Sequence, residues 1–184
     1  MRTLRASAVL VTLLLAVPAT GQDHLTSPYR GEPRSPIGGL TADEVSALRD
    51  GSGMGLARAA ELNSYPGPRH VLDAVRDARL PASADQVLQT TAIFDGMRQE
   101  AQLVGAQILA EEASLEAAFK AATITETDLR SRVARIAGLQ GKLRTIHLAA
   151  HLATRAVLTE EQIQQYNVLR GYAAGSTGHE HHGH

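Results

Sequence analysis

The chain has no cysteine and no tryptophan, and only two phenylalanines and four tyrosines in 184 residues. Without cysteine there can be no disulfide and no thiolate metal centre. So few aromatics argue against a domain of aromatic-packed strands and favour a helical one rich in alanine and leucine. Charge of one sign is lacking too. Lys and Arg number 18 against 19 Asp and Glu, a formal net charge of −1, so the basic field of a dedicated nucleic-acid binder is missing. No segment reaches the roughly 18 to 20 apolar residues that a membrane span needs.

The longest apolar run is Ala6 to Ala16, preceded by Arg2 and Arg5 and followed by Val17-Pro18-Ala19-Thr20-Gly21. Residues 1–21 therefore read as a cleaved secretory signal peptide, with cleavage after Ala19 or Gly21. Loss of Arg2 and Arg5 leaves 16 cations against 19 anions, a formal charge of −3. An exported protein without disulfides fits a bacterial periplasm better than a eukaryotic secretory route.

Residues 22–39 carry Pro28, Pro33, Pro36, Gly31, Gly38 and Gly39 with almost nothing apolar, which predicts a flexible leader. A helical domain is expected over 40–172. Thr41 and Glu44 form a capping-box pattern for a helix from Ala42 to about Arg49. Gly51, Gly53 and Gly55 interrupt it. Leu56 to Leu62 is helix-prone, and Tyr65-Pro66-Gly67-Pro68 turns the chain into another short helix ending near Arg79. Ser83 with Gln86 is a second capping box. After it Val87, Thr91, Phe94, Met97, Ala101, Val104, Ile108, Leu115 and Phe119 follow three-and-four spacing, which predicts one long amphipathic helix from Ala84 to about Phe119. A second runs from Asp128 to about Ala156, with Leu129, Val133, Ile136, Leu139, Leu143, Ile146, Ala150 and Ala153 on its stripe. Thr159 with Gln162 is a third capping box, opening a last helix to about Leu169.

From Asp85 to Phe119 there are six acids and one base, and from Asp128 to Ala156 six bases and one acid. Opposite charge favours pairing of the two long helices as an antiparallel hairpin. A turn near Thr123 sets Glu116 opposite Arg130, Glu112 opposite Arg135 and Glu100 opposite Arg144 or Lys142. These pairs read first as hairpin salt bridges, each worth about 0 to 1 kcal/mol, and otherwise as a surface for a partner.

Catalytic signatures are missing. The glycines at 51, 53 and 55 have Leu56 where a dinucleotide fingerprint needs glycine, and no Gly-Lys-Ser/Thr or Gly-x-Ser-x-Gly occurs. His147 and His151 have the spacing of a zinc-protease helix, yet Leu148 stands where that motif has glutamate. Binding without catalysis is what the pair suits. One turn apart on one face, the two imidazoles can reach one ion, and imidazole suits zinc, copper or nickel. Antiparallel register places Asp95 opposite His151 as a third ligand. His70 and Glu61, in the N-terminal helices, are further candidates whose positions the sequence does not fix. Alternatively, the histidines sit at a packing boundary and hydrogen-bond to Asp95 or water. The tail over 173–184, read as disordered, holds His179, His181, His182 and His184, a second cluster suited to capturing divalent transition metal. The other readings of it are an inert solubilising tail or a cloning remnant, the latter disfavoured by the interruptions at Glu180 and Gly183.

Leu158-Thr159-Glu160-Glu161-Gln162 resembles the LTxxQ signature of the periplasmic Spy/CpxP superfamily, and Leu80 through Gln86 is similar to a degenerate copy about 76 residues earlier. Gly53 through Ala57 and Ala60 through Pro68 resemble the branch described as periplasmic heavy-metal sensors. The resemblance spans about Leu40 to Tyr172. It implies an all-helical homodimer of curved hairpins, acting either as a metal-responsive envelope-stress protein or as an ATP-independent holdase for unfolded clients. The metal branch uses histidine pairs one turn apart, which His147 and His151 match. The holdase branch implies Arg130, Arg132, Arg135 and Arg144 as client-binding cations. Docking to an inner-membrane sensor is a third role.

The expectation is therefore an all-α, non-enzymatic periplasmic protein that binds Zn, Cu or Ni with no obligatory cofactor and no nucleic-acid partner. Client holding is the alternative.

Overall fold

The structure, a computed structural model, describes residues 26, 27, 29, 30 and 35–173. The chain divides into two units, Met1–Glu32 and Pro33–His184. Of the first, the described residues form a turn in which the Arg30 N–H donates to the Ser27 carbonyl at 3.1 Å. All else below concerns the second. The signal peptide expected over 1–21 and residues 174–184 of the tail lie outside the described residues.

Six helices are present among the described residues: α1 (Ala42–Asp50), α2 (Arg58–Glu61), α3 (Pro68–Arg76), α4 (Ala84–Lys120), α5 (Glu126–Val157) and α6 (Glu160–Leu169). No strand is found among them, and none of the helices is long and apolar enough to cross a membrane. All three capping boxes form, because in each the hydroxyl of the N-cap reaches a free N–H of the first turn while the third residue's side chain returns to the N-cap N–H. Gly51 ends α1 in the left-handed region at φ 68°, and the Ser52 N–H closes the turn on the Ala47 carbonyl at 2.9 Å.

The long pair α4 and α5 packs side by side. Contacts run from Arg132 to Ser114 near the connecting residues 121–125, through Arg135 to Glu111, and on to Gln86 and Val157 at the other end. α1 lies along α4 between Arg98, whose Nε reaches the Asp50 carbonyl, and Gly105. A Cβ at Gly105 would collide with the Leu48 carbonyl, so glycine sets how closely α1 approaches. Leu48, Ala101, Val104, Ile108, Leu143 and Ile146 form the core shared by these three helices. A second core joins α3 to α6 through Val71, Leu80, Leu158, Ile163 and Tyr166.

Two expectations are corrected here. Phe119 and Val133, assigned to the buried stripe, are 55% and 49% exposed, since they lie past the stretch of α4 that α1 covers. The expected ladder of cross-helix salt bridges reduces to one pair, Arg135 with Glu111 at 3.2 Å. Arg130 pairs instead with Glu126, Arg132 with Asp128, and Lys120 with Glu116, each four residues away on its own helix. A partner one turn away is already in place once the helix forms, so less side-chain freedom is lost in reaching it. Glu116 also accepts the Gly38 N–H at 2.7 Å, and Ile37 is buried. Residues 35–39, read as the end of the leader, are thus packed on α4.

The two motif glutamines clasp each other. Gln86 Nε2 donates to Gln162 Oε1 at 2.9 Å, and Gln162 Nε2 donates to Gln86 Oε1 at 3.0 Å. Each oxygen also accepts its own N-cap N–H, from Ser83 and Thr159. Each nitrogen also donates to the carbonyl two residues before the other's N-cap, Val157 or Pro81. Both amides thereby fill their capacity, and the starts of α4 and α6 are joined by the residues that cap them. Gln162→Ala would strand the Pro81 carbonyl and the Gln86 amide, at a cost of about 1 to 3 kcal/mol in unfolding free energy. Urea denaturation should show that loss, and adding Gln86→Ala should cost less than the two single changes added together.

Candidate functional site

The middle of α5 places His147 and His151 one turn apart, and both are buried, at 3% and 9% exposure. Backbone of the N-terminal segment covers them, and glycines allow it to come close. A Cβ on Gly67 would stand 3.0 Å from His151 Cε1 and 3.2 Å from Nε2, and one on Gly53 would stand 3.8 Å from His147 Nδ1.

His151 Nδ1 lies 2.7 Å from the Tyr65 carbonyl oxygen. A carbonyl only accepts, so the bond puts the proton on Nδ1 and leaves the Nε2 lone pair available. Arg155 braces the peptide that does this, donating to the Ser64 carbonyl at 2.7 Å while its guanidinium lies 5.2 Å from the centre of the Tyr65 ring. His147 Nε2 is buried with no hydrogen-bond partner among the described residues. An imidazole nitrogen in that position has given up water and gained nothing in return, which is costly.

Glu61, the last residue of α2, ties this region to α6. Its Oε1 accepts from the Tyr166 hydroxyl at 2.6 Å, from Arg170 Nε at 3.1 Å and from the Tyr172 hydroxyl at 3.1 Å. Its Oε2 lies 3.7 Å from His151 Nδ1. Burial, and then the bond to Glu61, raise the Tyr166 hydroxyl far above its ordinary value, so it acts as a neutral donor. A cleft of about 660 Å³ opens beside His151, with Gly53, Gly67, His70, Asp73 and Met97 in its walls.

Of the residues expected at the site, His147 and His151 share one buried face. Asp95 is solvent-exposed and makes no ion pair with either histidine among the described residues; the carboxylate beside His151 is that of Glu61. The register argument counted only the facing long helix, whereas this face of α5 is covered by residues 51–67. His70 lines the cleft from its exposed side. His179, His181, His182 and His184 lie outside the described residues. Arg130, Arg132 and Arg135 are paired with acids, and Arg144 is exposed with no ion pair among the described residues. No cluster of three or more His, Cys, Asp or Glu side chains with metal-site geometry occurs among the described residues.

Comparison with known proteins found no match among protein-family models, curated proteins or solved structures.

His147 is held below the ordinary histidine value of 6.5, because burial penalises the imidazolium and a charged His151 would repel it. Unfolding frees the ring to take a proton at its ordinary value. The unfolded chain therefore binds more protons in the window below 6.5, and stability falls as the pH drops through it. Urea unfolding followed from about pH 7 to about pH 5 should show this loss, and His147→Leu should flatten the slope. An unchanged slope would assign the acid sensitivity to another group.

Proposed function

We propose that this chain is a non-enzymatic periplasmic protein that binds transition-metal ions through His147 and His151, in metal sensing or resistance. The observation that carries this reading is the pair of buried imidazoles with unused nitrogens. His147 Nε2 has no partner among the described residues, and His151 offers Nε2 because Tyr65 takes its Nδ1 proton. Fixing one imidazole nitrogen on a backbone carbonyl so that the other can ligate is how histidines are commonly prepared for metals. Imidazole donors suit Zn, Cu and Ni and supply binding, not redox or hydrolytic chemistry. Glu61 is the nearest carboxylate and already has three donors on one oxygen. The long pair is read as the arms of an antiparallel hairpin, and a homodimer of such hairpins is the assembly the family resemblance suggests.

Calorimetric titration of the full chain with Zn, Cu and Ni should give saturable binding. His147→Ala with His151→Ala should weaken it by roughly 10- to 100-fold. Unchanged affinity in the double variant would overturn the helical site.

A second reading, an ATP-independent holdase, draws on exposed apolar side chains of the long helices. Leu88 and Leu103 are each 68% exposed and Leu152 is 59% exposed, a surface able to hold unfolded segments. On that reading, near-stoichiometric protein without nucleotide suppresses aggregation of a denatured client. No suppression across several clients would remove it.

A further inference from the structure

We propose that the C-terminal tail of the same chain completes the metal site. In this arrangement His179, His181, His182 or His184 supplies the ligands that His147 and His151 lack, and one ion is held jointly by helix and tail. The inference rests on the metal-binding reading above and gives the site its remaining ligands.

Valence is the first consideration. Zn, Cu and Ni take four or more donors, and two imidazoles leave at least two places to fill. Among the described residues no third His, Cys, Asp or Glu joins the pair in metal-site geometry. Glu61, the nearest acid, is occupied by Tyr166, Arg170 and Tyr172.

The second consideration is where the described chain ends. The Tyr172 hydroxyl is 3.1 Å from one oxygen of Glu61, and the other oxygen of that carboxylate is 3.7 Å from His151 Nδ1. Arg170, with its guanidinium 5.8 Å from the centre of the Tyr172 ring, also bonds Glu61 and secures this anchoring. The tail therefore starts one carboxylate away from the histidine pair. His179 is six residues beyond Ala173, a stretch that reaches about 20 Å when extended. Histidines tethered at that range are present at an effective concentration in the millimolar range, enough to turn two weak half-sites into one tight site.

Space and chemistry agree with this. The cleft of about 660 Å³ beside His151 is open to solvent and has room for further imidazoles. Gly67 keeps it clear on the Nε2 side, where a Cβ would stand 3.2 Å from that nitrogen. Tail and helix offer the same donor type, so one metal preference serves both.

The test compares four full-length chains by calorimetry with Ni and with Zn: unaltered, the tail with all four histidines changed to alanine, His147→Ala with His151→Ala, and the combination. Circular dichroism checks folding, and His147→Gln with His151→Gln replaces the alanine pair if that pair unfolds the chain. Absorption of bound cobalt reports the donor number independently of affinity. The expected result is one ion per unaltered chain. Each partial variant should bind at least about tenfold more weakly, with a changed cobalt spectrum, and the combination should be little worse than either. Two ions per unaltered chain, each lost with one cluster and leaving the other's affinity intact, would overturn the joint site. Loss with the helical variant but not with the tail variant would overturn the tail's part and leave the helical site standing. Loss with the tail variant alone would overturn both. Recovery of tight binding on mixing the two partial variants would show that tails serve other chains, and would overturn completion within one chain.

Discussion

The exchange of hydrogen bonds between Gln86 and Gln162 is the contact from which the placement of the buried polar groups follows. It couples the first turn of α4 to the first turn of α6, and so decides where α6 sits on the rest of the domain. α6 carries Tyr166, and the residues just beyond it are Arg170 and Tyr172; all three bond Glu61. Glu61 in turn stands beside His151. A break at the glutamines would therefore act on the histidines at the end of a chain of contacts, through α6 and then α2. An amide pair suits this position because each glutamine both donates and accepts, so it can cap its own helix and hold the other without leaving a buried group unsatisfied.

Much of this was legible in sequence for a local reason. A capping box joins residues three apart, and its hydrogen bonds depend on little beyond them, so Thr41, Ser83 and Thr159 mark helix starts wherever the helices later pack. The three-and-four spacing of apolar residues marked the lengths of α4 and α5 in the same way. The histidine pair was visible because positions four apart share a helical face.

What sequence did not show depends on tertiary placement. Nothing near Glu61 in sequence says that it meets residues from α6 more than a hundred positions later. Asp95 was the natural partner for His151 if α5 faced only α4; the segment from Gly51 to Gly67 takes that place because its glycines let backbone lie against the imidazoles. Net charge told the truth about the two helices and misled about individual pairs. Opposite totals favour contact at long range, whereas each arginine settles on whichever acid costs the least freedom to reach, usually one turn away. A hint was available in the spacing of Glu126 with Arg130 and Asp128 with Arg132, both four apart with the acid first.

The long helices contain four glycines, and they are not equivalent. Gly105 is fixed by the Leu48 carbonyl pressed against it, while Gly96, Gly138 and Gly141 have no side chain or foreign backbone within 4 Å of where a Cβ would stand. Glycine inside a helix gives up about 1 kcal/mol relative to alanine. The pair therefore holds an unused reserve of rigidity at three positions and none at the fourth. Its arms are more compliant to bending than their length requires, and alanine could stiffen them without disturbing the packing around α1.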